Sequence, residues 1–141
     1  MSNFRHEIFI ARPVETVFAA VANVHTHPQW QDGLLKELVE SDSYARVGAR
    51  GAEVRRMFGR EVRFPYEITI YKPPSVWGFL ALEGPIRPSA ILTFISQNNG
   101  TLLKSELTIS GLMGVLVGRA MFSQQRKNYA RLKELLEADK L

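Results

Sequence analysis

Two histidines that stand one residue apart open the stretch HTHPQWQDG, residues 25–33, and raise the question of a metal site. Zinc needs a third strong ligand beside them, and Asp32 is the only carboxylate near His25 and His27 in the sequence. Histidines at positions i and i+2 share a side only on an extended strand, whereas these two precede Pro28 in a segment that connects helices. We therefore interpret both histidines as helix-junction residues and predict no metal.

His6 and Tyr66 are the best candidates for moving protons. His6 alternates with Phe4 and Ile8 in a strand-like stretch, so its imidazole can point inward, and the alternative is hydration or a bond to the backbone. Tyr66 falls in register with Phe64, and its hydroxyl needs a partner, which is a ligand, a neighbouring side chain or bulk water. Several strand carboxylates are predicted to point outward: Glu37, Glu40, Glu67 and Glu106. His6 and Tyr66 are therefore the candidate catalytic residues.

Two further polar side chains are predicted to reach the interior, one of two adjacent arginines and a glutamine. Arg55 and Arg56 are adjacent on one strand, so one guanidinium must point inward, where it needs a carboxylate, a ligand anion or an escape to solvent. Gln125 interrupts the apolar seam of a long helix between Phe122 and Tyr129. A glutamine at that position indicates either a polar cavity wall or a buried hydrogen bond.

The elements that position these residues must surround one core. The chain has 141 residues, of which 45% are hydrophobic, and we predict a single domain over residues 1–141. The absence of cysteine excludes disulfides, thiolate metal sites and cysteine nucleophiles. The net charge of +4 is dispersed among acidic residues, which does not favour nucleic acid as a partner.

The sequence predicts neither export nor a membrane span. The N-terminal stretch MSNFRHEIFI lacks the long apolar core and the cleavage site of a secretory signal. The longest nearly uncharged apolar run, residues 111–122, is too short to cross a bilayer and is interrupted by Arg119. We expect a cytoplasmic protein.

The order of the elements predicts an α+β fold. Period-two patterns predict a first strand over Arg5–Ala11, after which PVETVFAAVAN predicts a helix and PQW a short second one. Six further strands follow from Leu34 onward, and their short links favour antiparallel neighbours. A long helix from about Leu112 to Ala138 closes the chain and offers the one good cover for a face of the sheet.

These features resemble the START-like or SRPBCC superfamily, the helix-grip fold of polyketide cyclase/dehydrase and lipid-transport domains. The matching motifs occur in the same order over essentially the entire chain: RPVETVFAAVANVHTHPQW, GREVRFPYEITIYKPP, NNGTLLKSEL and LKELLE. The resemblance implies a curved seven-stranded antiparallel sheet around a long C-terminal helix, with two short helices between the first two strands. It also implies a cavity for an apolar ligand between sheet and helix, and it places Trp30 in the short second helix as a plug of the core.

The implied cavity leads to expectations about function. The residues predicted to contact a ligand are Arg55, Arg56, Phe64, Tyr66, Phe79, Phe94, Ser105, Leu107, Met121, Phe122 and Gln125. For Phe79, strand alternation leaves open whether the side chain lines the cavity or points outward. We expect the protein to bind a small hydrophobic molecule, lipid-like or polyketide-like, without a cofactor. The alternative is a polyketide cyclase/dehydrase-type enzyme that uses the same cavity, and a third possibility is an interaction module or homodimer with exposed apolar surface.

Overall fold

The computed structural model of the protein describes residues 2–141. It contains the strands β1 (Ser2–Ile10), β2 (Leu34–Val39), β3 (Arg50–Met57), β4 (Arg60–Lys72), β5 (Val76–Ala81), β6 (Arg87–Gln97) and β7 (Gly100–Ser110). The α-helices are α1 (Val14–Ala22), α2 (His27–Trp30) and α3 (Gly114–Glu137), and a 3-10 turn over Val24–Thr26 joins the first two. The predicted α+β order of elements is confirmed.

The strands form one antiparallel sheet in the order β1-β7-β6-β5-β4-β3-β2. Each strand from β2 to β7 pairs antiparallel with the next strand along the chain, and the connections are short except for residues 40–49 between β2 and β3. In the β6–β7 turn, Asn98 and Asn99 both adopt positive φ values, 51° and 61°, which is the conformation of a tight hairpin turn. β1 returns to pair with β7, so that β1 and β2 are the edges.

The long helix α3 lies across the concave face of the sheet and buries Tyr129, Leu132 and Leu136. At Gly118, an added Cβ atom would lie 3.3 Å from Cε2 of Phe4, so the glycine allows α3 to approach β1 closely. The predicted seam included Val115, but that residue is 65% exposed. Gly114, the first residue of the helix, is buried instead.

Helix α1 closes the other end of the interior. Val17, Phe18 and Val21 are buried at helical spacing against the same core as Leu132 and Leu136 of α3. Within residues 2–141, no helix is both long enough and apolar enough to cross a membrane.

Candidate functional site

A cavity of about 430 Å³ lies between the sheet and α3. Its walls come from α2, from the strands β3 to β7 and from α3. Most of the wall is apolar, and the large side chains in it are those of Trp30, Phe64, Trp77, Phe79, Leu92, Leu107 and Met121. This volume falls in the range of about 300–1,000 Å³ that holds small organic ligands in proteins.

The cavity reaches the surface beside the β3–β4 hairpin and the first half of α3. Phe58, at the tip of that hairpin, lines the cavity and yet is 81% exposed. Arg56 of β3 and Ala120 of α3 also line the cavity and are exposed. The opening of the cavity therefore lies between the hairpin and the helix.

A bulge in β2 turns a carboxylate into the interior. The register with β3 slips by one residue between Leu34 and Lys36, so β2 holds one extra residue, Leu35. Glu37 therefore lies on the same side as Leu34, and its side chain is only 1% exposed. The outward position predicted for Glu37 is wrong, because strict alternation takes no account of the extra residue.

His27 begins α2 and is buried beside Glu37. Its Nε2 atom lies 2.7 Å from the carbonyl oxygen of Val21, and since a carbonyl oxygen only accepts, Nε2 donates. Its Nδ1 atom faces Oε1 of Glu37 at 3.6 Å. His25 is exposed and places its ring against that of Tyr44, so the two histidines of the HTH stretch have different surroundings.

Glu53 and Arg55 lie on one face of β3 and form an ion pair at the cavity wall. Nε of Arg55 donates to Oε2 of Glu53 over 2.7 Å, and the guanidinium also donates to Gln31. Burial is the largest single influence on the pKa of Glu53 and would raise it, but the charge and hydrogen bond of Arg55, together with weaker contributions from His27 and Glu37, lower that pKa overall. Burial raises the pKa of Glu37, and the negative charge of Glu53 adds to the shift.

Tyr66 supports this group from β4 and does not line the cavity. Its hydroxyl donates to Oε2 of Glu37 over 2.9 Å, and burial together with the Glu37 charge raises the pKa of Tyr66 above its ordinary value. His6 stacks on Tyr129 with ring centroids 6.0 Å apart. Three strands separate β1 from β4 in the sheet, so the structure does not bring His6 and Tyr66 together as an acid/base pair.

Seven of the residues predicted to contact a ligand line the cavity: Arg55, Arg56, Phe64, Phe79, Leu107, Met121 and Gln125. Arg55 is the guanidinium that points inward, where Glu53 neutralises it, whereas Arg56 is exposed at the rim. Gln125 lines the cavity with its Oε1 atom buried and unpartnered, as expected of a polar cavity wall.

Four other predicted contacts are covered by neighbouring side chains and do not line the cavity: Tyr66, Phe94, Ser105 and Phe122. Phe94 packs against α1, and Ser105 lies under Tyr129, whose hydroxyl is 3.3 Å from the serine oxygen. Phe122 stacks on Phe4 at 4.7 Å. Strand alternation, and for Phe122 the apolar seam of α3, place these side chains toward the interior, but neither pattern tells which part of the interior neighbouring elements cover.

Sequence reasoning missed His27, Glu53 and Asn128 among the lining residues. Glu53 had a usable signal, because it stands two residues before Arg55 and therefore shares its strand face. Asn128 had none, since its role depends on the turn after α2: its Oδ1 accepts from the backbone N–H of Asp32 over 3.2 Å.

Buried polar atoms without partners gather at the cavity. Within residues 2–141, four buried side-chain atoms have no hydrogen-bond partner: Nδ1 of His27, Oε1 of Glu37, Nε1 of Trp77 and Oε1 of Gln125. His27, Trp77 and Gln125 line the cavity, and Glu37 lies directly behind His27. Because an unpaired buried polar group is costly, these atoms are open to a hydrogen-bonding partner in or beside the cavity.

Comparison with known proteins agrees with this architecture. The family described as "Polyketide cyclase / dehydrase and lipid transport" matches residues 1–137. No curated protein sequence matches the chain significantly.

Solved structures share the fold at low sequence identity. A protein of Thermus thermophilus is 21% identical, with a TM-score of 0.74 over 97% of this chain and 95% of its own. A START superfamily protein of Mycobacterium smegmatis is 12% identical, with a TM-score of 0.75 over 94% and 98%. The di-domain ARO/CYC StfQ from the steffimycin biosynthetic pathway is 11% identical, with a TM-score of 0.79 over 97% of this chain and 51% of its own. Because the family model matches residues 1–137 of the 141, this chain belongs to the family described as polyketide cyclase / dehydrase and lipid transport.

Proposed function

We propose that the protein binds a small hydrophobic molecule with one polar end in the cavity between the sheet and α3. The observation that carries the proposal is an apolar cavity of about 430 Å³ in which three lining residues keep unpartnered polar atoms. A purely apolar ligand would leave these atoms unpaired, whereas a ligand with a carbonyl, hydroxyl or carboxylate group would pair some of them.

The polar end of the ligand is expected at the wall formed by α2, β3 and β5. His27, Arg55 and Trp77 meet there, and they offer a guanidinium, an indole N–H and an imidazole nitrogen. The donors outnumber the free acceptors on this wall, so an oxygen that accepts hydrogen bonds fits it best. The rest of the ligand would contact the aromatic and aliphatic side chains, where burial of its apolar surface supplies most of the affinity.

A second candidate is catalysis of the cyclase/dehydrase type in the same cavity. The specific observation in its favour is that Arg55 and the unpartnered indole N–H of Trp77 both lie on the cavity wall. Fixed donors of this kind stabilise negative charge that develops on a carbonyl oxygen during enolisation. The ARO/CYC neighbour StfQ, which shares the fold, is consistent with this candidate.

Native mass spectrometry of the purified protein, followed by extraction into organic solvent, tests the proposal directly. We expect a discrete small organic molecule to co-purify, and titration with 8-anilinonaphthalene-1-sulfonate, an apolar probe with an anionic group, to show one site per chain. Met121→Trp should weaken probe binding at least tenfold because the indole fills the cavity, whereas Met113→Trp should not, since Met113 lies outside the lining. Equal binding by both variants would contradict the proposal.

The extracted molecule also separates the two candidate functions. If the molecule returns unchanged after incubation with fresh protein, binding without conversion is supported. If it is converted, Trp77→Phe should slow the conversion more than it weakens binding, because it removes a donor and keeps the aromatic wall.

A further inference from the structure

The side chains of His27, Glu37 and Glu53 converge from α2, β2 and β3 on one point beside the cavity. One ligand-type atom from each residue lies within 4.8 Å of the others. We propose that these three side chains bind a single divalent transition-metal ion, with an open coordination position toward the cavity. This site does not depend on the proposed hydrophobic ligand, and either one can fail without the other.

Each of the three side chains forms a hydrogen bond to a partner outside the group. Nε2 of His27 donates to the Val21 carbonyl over 2.7 Å, so Nδ1 is the ring nitrogen left to bind an ion. Oε2 of Glu37 accepts from the Tyr66 hydroxyl over 2.9 Å. Oε2 of Glu53 accepts from Arg55 over 2.7 Å. Such outer partners, which fix the orientation of each ligand, are the usual surroundings of metal ligands in proteins.

The free atoms of His27 and Glu37 face one another without a hydrogen bond. Nδ1 of His27 and Oε1 of Glu37 are both buried and unpartnered, and their side chains are 4% and 1% exposed. Their separation of 3.6 Å is too long for a hydrogen bond, but it suits two ligands that each lie about 2.0–2.2 Å from one shared ion. A cation between them would satisfy both acceptors at once.

The donor set indicates the class of metal. One imidazole nitrogen with two carboxylate oxygens suits Zn²⁺, Mn²⁺ or Fe²⁺, and it offers too few oxygens for Ca²⁺ and no thiolate for Cu⁺. With both carboxylates ionised, Arg55 reduces the net charge of the group from −2 to −1. A bound divalent ion would bring the net charge to +1. His27 and Glu53 line the cavity, so the remaining coordination position would face a ligand oxygen there.

Zinc binding by the untagged protein tests the proposal. The full chain is freed of metal with EDTA, dialysed and titrated with ZnCl₂ by calorimetry, and zinc content is measured after gel filtration. We expect one equivalent of submicromolar affinity and a higher melting temperature with zinc. Glu37→Gln and Glu53→Gln should each lose at least tenfold in affinity, and His27→Gln should abolish stoichiometric binding.

Two further variants keep the test decisive if a ligand variant fails to fold. His25→Gln replaces the neighbouring exposed histidine and should leave zinc affinity unchanged. Tyr66→Phe removes only the outer partner of Glu37 and should weaken zinc binding by roughly ten- to a hundredfold. The proposal is overturned if the wild type binds no stoichiometric Zn²⁺, Mn²⁺ or Fe²⁺, or if His25→Gln weakens binding as much as Tyr66→Phe does.

Discussion

A Cβ atom on Gly51 would lie 2.7 Å from the hydroxyl oxygen of Tyr66. The two residues are opposite each other in the β3–β4 ladder, so the missing side chain of the glycine leaves the space through which the tyrosine hydroxyl reaches Glu37. The orientation of the buried Glu37 carboxylate in β2 therefore depends on Gly51 in β3. This relationship leads to the first prediction.

Gly51→Ala should destabilise the protein by about 1–3 kcal/mol, the usual cost of overpacking a filled interior. The new methyl group would also lie 2.7 Å from the backbone carbonyl oxygen of Leu38, which cannot move away as a side chain can. Urea unfolding followed by circular dichroism measures the change. Thr69→Ala, at an exposed position of β4, is the control and should shift the midpoint little. A Gly51→Ala protein as stable as the control would show that both the Tyr66 side chain and the β2 backbone at Leu38 can move aside.

Removing the guanidinium of Arg55 should lower the free energy of unfolding far more than removing that of Arg50. Both residues lie on β3, and both pair with a carboxylate. The Arg55–Glu53 side chains are 23% and 17% exposed, so Arg55→Met leaves a largely buried charge and should cost about 3 kcal/mol. The Arg50–Glu67 side chains are 60% and 28% exposed, so Arg50→Met should cost less than about 1 kcal/mol.

Chemical denaturation of both arginine variants at neutral pH gives the two free energies of unfolding. The double variant Arg55→Met with Glu53→Gln should recover part of the lost stability, because it removes the stranded charge. Equal losses of unfolding free energy in the two arginine variants would contradict the prediction that the more buried ion pair matters more.

Because the Tyr129 hydroxyl is buried, we expect the protein to lose stability at alkaline pH. Burial raises the pKa of Tyr129 to about 12 from an ordinary value of 10.0. Because the folded state holds this proton more tightly than the unfolded state, the contribution is fully present below pH 10 and is lost as the pH rises through 12. The free energy of unfolding, measured at intervals from pH 9 to 12, should fall more steeply with pH for the wild type than for Tyr129→Phe. Parallel curves would show that the tyrosine ionises normally in the folded protein.

Asn128 should control the turn that follows α2. Its Oδ1 accepts from the backbone N–H of Asp32 over 3.2 Å and from Nε2 of Gln124 over 2.9 Å. Asn128→Leu leaves that N–H without its partner and should destabilise the protein by about 1–2 kcal/mol. Hydrogen exchange should accelerate at Asp32 in this variant, whereas Gln124→Ala, which keeps Asn128, should leave the Asp32 amide protected. Unchanged exchange in Asn128→Leu would show that the bond does not hold the turn.

The sequence by itself determined the order of the elements, their types and the family. These follow from local patterns: the period of apolar residues distinguishes strands from helices, and glycine, proline and asparagine mark the turns. The inward direction of Phe64, Leu107 and Met121 also follows from those periods, and all three line the cavity.

Only the tertiary structure decided which inward residues reach the cavity and which carboxylates join them. Phe94 and Phe122 point inward but are covered by α1 and by β1, because the depth of the interior depends on how separate elements pack. Glu37 turns inward because pairing with β3 accommodates an extra residue at Leu35, and a bulge is a property of two paired strands rather than of one strand's own sequence. The group formed by His27, Glu37 and Glu53 thus joins residues from three elements that only the folded chain brings within reach of one another.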